Sequence, residues 1–410
     1  MASTRPLPAS TGTLRAALHA RRMLLLKALL VRVEGRRART APSVRRGFER
    51  DWELLERTAA GAVRDAVDYP TTGAWLAETL TTADGALFEA HLAQLGGVAV
   101  AAAVRAGDLV DGHLAVPSGA LVLPGLGVLS VPSGRVRLSG VPGALRIGDA
   151  LGGSGVVLRP RAETGAEPVG EPRGWSGLRT LPGGDAVLDD LDPYRVPPPG
   201  IGPQGVPAAE RPHSVPEAWA RRWRAAHALL AATDPGRSAE VRALVRAVVP
   251  LAPAGRPGVE PMSATLRAAP GAVLAQLPAD AAELAECLVH ETHHTKLAAL
   301  EGVVALCRPG SGAVHRVGWR PDPRPVPGVL QGAYAHLALA DLWWRARSGG
   351  TLPAAWRSRA AEQFTVYRDH VGDALSVLRE SDELTIAGRE FVRVMSGHHA
   401  GLGSMAHARE

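Results

Sequence analysis

The pentapeptide His290-Glu291-Thr292-His293-His294 constrains this chain more than any other stretch, because its spacing makes chemical sense only on a helix. Residues four apart on a helix share a face, so the imidazoles of His290 and His294 can converge on one divalent metal, with Glu291 beside them as a candidate catalytic base. The flanks support a helix. Leu284, Cys287 and Leu288 before the motif, and Leu297, Leu300 and Val304 after it, continue an apolar stripe at helical spacing. Two neutral histidines facing a core must each find a partner, and a shared metal satisfies both at once. His293 lies beside the His290 face and reads as a partly exposed structural histidine.

A metal held by two histidines needs a further protein ligand. Glu301 shares the face but lies about 10 Å along the axis from His294 at 1.5 Å per residue, too far to reach back. The positions that would reach are Leu297 and Ala298, so the ligand must come from another segment. His336 is the first candidate, because Gly332, Ala333 and Ala335 around it would let two helices approach closely; a core histidine bonded to a backbone carbonyl is the plain alternative. Gln331, Asp341 and His315 are further candidates. Arg320 and Arg324, in a segment stiffened by Pro321, Pro323 and Pro325, suit bidentate capture of a carboxylate, or else a surface ion pair with Asp322.

With 410 residues the chain can bury a sizeable core in two or three lobes. Its formal charge of +6 is carried by Arg, since Lys27 and Lys296 are the only lysines. Together with abundant Ala, Gly and Pro, that skew reads as codon usage and not as a nucleic-acid footprint. The run Arg36, Arg37, Arg39, Arg45 and Arg46 reads as a solvated face. Cys287 and Cys307 lie in apolar surroundings with no metal or redox spacing between them, as expected of a reduced cytoplasmic protein. The apolar stretch Met23 to Val33 is broken by Lys27 and Arg32 and too short to span a bilayer, so neither a leader nor a membrane segment is expected.

The pattern along the chain predicts a mainly α (α+β) fold with helical amino- and carboxy-terminal regions around a small antiparallel β insertion. Residues 1–97 read as helices over Leu14 to Val33, Phe48 to Val67 and Thr72 to Leu95. Residues 98–160 read as short strands (Val98 to Val104, Leu114 to Val116, Ala120 to Leu123, Gly127 to Val131, Val136 to Leu138, Ala144 to Ile147, Gly155 to Leu158), because Val/Leu runs alternate there with Gly and Pro. Residues 161–215, rich in Pro and Gly, read as a linker or lid. Residues 216–410 read as a helical metal-binding region with helices over Pro216 to Ala232, Ser238 to Val249, from about Asp280 through the motif, Val326 to Ala346, Pro353 to Leu378 and Ser381 to Met395.

Three segments in order, Leu288 to Leu297, Trp319 to Pro325 and Gly328 to His336, resemble the HExxH-motif peptide-modification proteins of actinobacteria, described as α-ketoglutarate-dependent peptide β-hydroxylases. The similarity is strongest over about residues 280–345, and Tyr69-Pro70-x-x-Gly73-Ala74-Trp75 adds a weaker match. The resemblance implies Fe(II), α-ketoglutarate as co-substrate, and hydroxylation at Cβ of a residue in a ribosomally made precursor peptide. On that reading His290, His294 and His336 hold the metal, Glu291 acts in proton transfer or outside the ligand set, and Arg320, Arg324 and Gln331 bind the keto acid. No carboxylate completes a two-histidine, one-carboxylate triad, a departure from the usual iron pattern. The competing reading is a zinc metallopeptidase with Glu291 as base, against which stands the lack of a glutamate ligand one helix on. A metal-free peptide-binding protein is the third reading.

Overall fold

The structure, a computed structural model, describes residues 1–162, 165–184, 186–253, 261–310, 312–349 and 352–403. The chain is mainly helical with a β insertion. Helix α1 (Pro8–Gly35) buries Leu14, Leu18, Arg22, Leu26, Leu29 and Val33, one residue every three or four. The single helix expected over Phe48 to Val67 is two, α2 (Pro42–Arg57) and α3 (Ala60–Val67), because Thr58 turns extended at ψ 147°. The next expected helix likewise divides into α4 (Pro70–Thr81), α5 (Ala86–Leu92) and α6 (Gln94–Ala106), with one break between Thr82 and Gly85, whose φ is 136°, and another at Ala93.

Val98 to Val104, expected as a strand, lies inside α6. The run is buried on every side, so its periodicity cannot choose between helix and strand; its Ala content and the left-handed cap at Gly107 (φ 72°) decide for helix. Ala86–Ala106 is apolar enough to cross a bilayer, yet 72% of that window is buried inside the fold.

The strands expected from Leu114 to Leu158 form, and two more, at Gly165–Pro168 and Trp175–Gly177, follow in the stretch read as a linker or lid. Strands β1 (Gly112–Ala115), β2 (Ala120–Leu123), β3 (Gly127–Ser130), β4 (Arg135–Val141), β5 (Ala144–Asp149), β6 (Gly155–Arg161), β7 (Gly165–Pro168) and β8 (Trp175–Gly177) make two antiparallel sheets, β1-β4-β5-β6-β7 and β2-β3-β8. Alternation sends Val136, Leu138, Leu145, Ile147, Val156 and Leu158 inward, where they share one core with α2 to α6. Full burial of each such side chain stabilises the fold by about 1.5–3 kcal/mol.

The stretch read as a linker or lid is pinned instead. Strands β9 (Arg179–Thr180) and β10 (Val187–Leu188) join a mixed sheet, β12-β13-β11-β10-β9, completed by β11 (Ala247–Pro250), β12 (Ser263–Ala264) and β13 (Ala272–Ala275). Beyond β10, buried Asp189 and Asp192 accept hydrogen bonds of 2.6 Å from the hydroxyls of Tyr69 and Thr71 at the start of α4. Burial, and then the charge of Asp189, push the Asp192 carboxyl up to about 7. The Tyr69-Pro70-x-x-Gly73-Ala74-Trp75 segment therefore latches the amino-terminal helices to this sheet. A Cβ on Gly73 would collide with the Ala268 carbonyl.

Helices α7 (Pro216–Thr233) and α8 (Pro235–Leu244) precede β11; the helix expected to run to Val249 stops at Leu244 because Ala247–Pro250 is buried throughout and pairs in parallel with both β10 and β13. The motif helix α9 (Ala281–Glu301) starts where the sequence places it: Asp280 Oδ1 accepts the Glu283 amide at 2.8 Å, and Glu283 accepts the Ala279 amide at 2.8 Å. The Pro-rich loop expected after it is a hairpin of β14 (Val314–Val317) and β15 (Arg320–Pro325). Helices α10 (Val326–Ser348), α11 (Ala354–Glu380) and α12 (Ile386–Gly401) close the carboxy-terminal core against α9 and α7.

Candidate metal centre

On α9 the His290 and His294 Nε2 atoms lie 3.0 Å apart. Two nitrogens on one divalent ion at about 2.0–2.1 Å each need about that separation, so the pair fits a metal without rearrangement. Burial, followed by the neighbouring imidazoles, holds His290 well below the usual histidine range, so it is the neutral ligand form at neutral pH.

His336, on α10, stands beside this pair with its ring centroid 5.0 Å from that of His290. Its Nδ1 donates to the Gly332 carbonyl at 2.8 Å, which leaves Nε2 as the free donor, the orientation that second groups commonly impose on ligating histidines. Burial lowers its pKa to about 4. The same bond is the one a purely structural core histidine would make. Three donors are not drawn to a common point: among the described residues no group of three His, Cys, Asp or Glu side chains is in ligating geometry. The donor set thus fits a metal at the His290–His294 pair, with an adjustment of His336 needed to close on it.

Of the small residues around His336, Gly332 has a role beyond the close packing of α10 on α9. Gly332 makes room for the Trp319 indole, which a Cβ there would meet at 2.5 Å, and Trp319 stacks on the His336 ring at 4.5 Å and 18°. The other ligand candidates are committed elsewhere. Asp341 accepts from Arg237 at 2.7 Å on the far side of α10, His315 pairs with Arg324 in the β14–β15 register, and Gln331 donates to Glu301 at 3.4 Å.

Glu291 is 2% exposed, and both its oxygens accept hydroxyl hydrogen bonds of 2.7 Å, from Ser263 on β12 and from Thr265. Nothing in the sequence linked these two hydroxyls to the motif: they lie on and just after a short edge strand that meets α9 only through the fold.

Two cavities meet at the histidines, and Ser263, His290 and His336 line both. One, of about 320 Å³, also holds Glu291, His294, Trp319, Gln331 and three arginines, Arg267, Arg320 and Arg324. Arg320 and Arg324 each bond Asp322, at 2.7 and 3.2 Å, and Arg267 pairs with Glu301. Of the two expectations for Arg320 and Arg324, the ion pairs to Asp322 are present, and both side chains also line the cavity. Arg267 was not legible as a site residue, because only the chain reversal after β12 brings it opposite them. The other cavity, of about 370 Å³, is lined by Gln276, Glu283, Glu286, Cys287, Gln363 and Tyr367 among others. Burial raises the Glu286 carboxyl and, with the Glu291 charge next, the Cys287 thiol, which keeps the latter protonated and unreactive.

His293 is fully buried, a correction to the half-exposed role expected of it. It faces away from the pair: Nδ1 donates to the Val289 carbonyl at 2.8 Å, and Nε2 lies 3.4 Å from both Lys296 Nζ and Arg237. Lys296 donates to Glu240 at 2.8 Å, and Arg237 to Asp341 at 2.7 Å. This buried ionic cluster fastens the back of α9 to α8 and α10.

No protein-family model matches this chain, and no curated protein sequence matches it.

Proposed function

We propose that this protein hydroxylates a residue of a ribosomally made precursor peptide, using Fe(II) and α-ketoglutarate. The observation that carries the reading is the arginine-lined cavity opening onto the His290–His294 pair. A dianionic keto acid needs cations beside its metal, whereas peptide hydrolysis does not. When bound, iron with the keto acid and O₂ supplies the oxidising power to replace a C–H bond by C–OH.

His290 and His294 hold the metal, and His336, with Nδ1 committed to Gly332, offers Nε2 as the third nitrogen. Arg267, Arg320 and Arg324 supply guanidinium forks for the distal carboxylate of the keto acid, and Gln331 an amide. The second cavity receives the peptide side chain, with Glu286 and Gln363 on its wall. Glu291, its oxygens held by Ser263 and Thr265, braces α9 against β12 and accepts protons only by exchanging one of those hydroxyl bonds. The zinc metallopeptidase reading retains one support, the presence of Glu291 on the same cavity wall.

Mass spectrometry of a candidate precursor peptide encoded beside this protein separates the two. A hydroxylase leaves the backbone whole and adds one oxygen atom, with succinate formed only when iron, O₂ and keto acid are all present. Two fragments formed anaerobically without keto acid would establish the peptidase instead.

Replacing Arg320, Arg324 and Arg267 singly by Lys keeps the charge and removes the fork. At least one variant should raise KM for α-ketoglutarate about tenfold, the equivalent of about 1.4 kcal/mol, with kcat little changed. Unchanged KM in all three would remove the arginines from keto-acid binding.

A further inference from the structure

The outer face of the five-stranded sheet is cationic. On β4, β5 and β6 the inward positions are Val, Leu and Ile, while Arg135, Arg137, Arg146 and Arg159 point out and are exposed. A groove of about 740 Å³ crosses this face, lined by Arg137, Arg146 and Arg173 over a floor that includes Gly148, Gly153 and Gly155. None of the three arginines has an ion-pair partner among the described residues. The groove wall also carries two carboxylates, Glu171 and Asp149, the latter accepting the amides of Ser133 and Leu151 at 3.0 and 2.8 Å and keeping its charge, so the arginines outnumber the acids by one.

Register fixes the spacing. Arg137 lies opposite Gly148, two residues from Arg146, so the two arginines are diagonal neighbours on adjacent strands. Such neighbours sit about 7–8 Å apart and, being alike in charge, repel. Carboxylates at alternate positions of an extended peptide recur about every 6.6–6.8 Å, close to that separation, and guanidinium forks match carboxylates bidentately. Among the described residues no aromatic side chain lines the groove to stack a base, which sets it apart from a single-stranded nucleic-acid channel. The glycine floor lets a peptide backbone come close.

We infer that this groove is a docking site for an extended acidic peptide segment, separate from the histidine site. It deepens the peptide-modifying reading, on which it rests for the purpose of docking, by giving the substrate peptide a second point of attachment through its acidic residues.

Fluorescence anisotropy with a dye-labelled dodecapeptide alternating Glu and Gly, and the same peptide with Gln in place of Glu, tests this at low salt. The Glu peptide should bind and the Gln peptide should not. Arg137→Glu with Arg146→Glu should weaken binding at least about tenfold, a charge-reversal effect screened by salt over about 10 Å at 0.1 M. Both positions are exposed, so an unchanged thermal melt verifies the fold of that variant. His290→Ala with His294→Ala should bind the Glu peptide as tightly as the unaltered protein, which keeps this result independent of metal and of any reaction. Three results would overturn the proposal: no binding of the Glu peptide, binding indifferent to the Arg137/Arg146 reversal, or tighter binding of a single-stranded oligonucleotide through the same two arginines, which would make the groove a nucleic-acid site.

Discussion

If the proposed Fe(II) site is right, His290→Ala and His294→Ala should each lose the metal, whereas His293→Ala should keep it. The first two remove one of two nitrogens that stand 3.0 Å apart on one face of α9. Loss of a direct ligand should exceed the tenfold to hundredfold, roughly, that removal of a supporting group costs a metal site. His293 lies one residue from His294 in sequence, but its ring turns to the flank of the helix, against Lys296 and Arg237, so its removal should lower stability and leave metal stoichiometry intact. Metal analysis of anaerobically purified proteins reads all three. Full iron content in both His290→Ala and His294→Ala would place the metal elsewhere or nowhere. His336→Ala should fall between, with weakened but detectable binding, because its ring stands beside the pair without closing on it.

Lys296→Ala should cost about 3–5 kcal/mol of stability, the typical penalty for removing one partner of a buried ion pair. Lys296 and Glu240 have side chains 1% and 2% exposed and bond at 2.8 Å, so truncating the lysine leaves a carboxylate in the core with no water to replace it. Lys296→Met combined with Glu240→Leu should recover most of the loss, since paired apolar replacements remove both desolvation costs together. Urea unfolding with unchanged slope measures both variants. A single variant as stable as the unaltered protein would show that the pair contributes nothing. The adjoining Asp341 adds an acid limit. Burial alone would raise its carboxyl, but His398 and the charges of Arg237 and Arg345 outweigh that and hold it well below the usual carboxylate range. A depressed folded-state pKa means its contribution is complete above the unfolded value and is lost only as pH falls through the native one, in strong acid.

The readings that held and those that did not divide by the range of the interactions behind them. α9 was legible to within a residue at its start because the Asp280 cap, the i, i+4 histidines and the apolar stripe are all local. α6 was misread because a strand and a helix buried on all sides present the same unperiodic run of Val and Ala, which leaves only the Ala content and the left-handed cap at Gly107 to favour the helix. The stretch from 160 to 216 looked free because Pro and Gly dominate it. Its anchorage rests on Asp189 and Asp192, whose partners Tyr69 and Thr71 lie more than a hundred residues away.

The same division runs through the site. Sequence by itself determined the His290–His294 pair, since the helix repeat dictates that residues four apart share a face. It also singled out His336, Arg320, Arg324 and Gln331 as polar groups following the motif, all of which line the cavity at that pair. Only the tertiary structure decided that Arg267 joins them, that Ser263 and Thr265 hold Glu291, and that His293, Lys296, Arg237 and Asp341 form one buried cluster. Arg237 and Asp341 are 104 residues apart, Lys296 and Glu240 56. Contacts at such separations carry no periodicity for a sequence to display; they exist because α8, α9 and α10 must bury their apolar faces together, and every polar group taken inside with them has to find a partner.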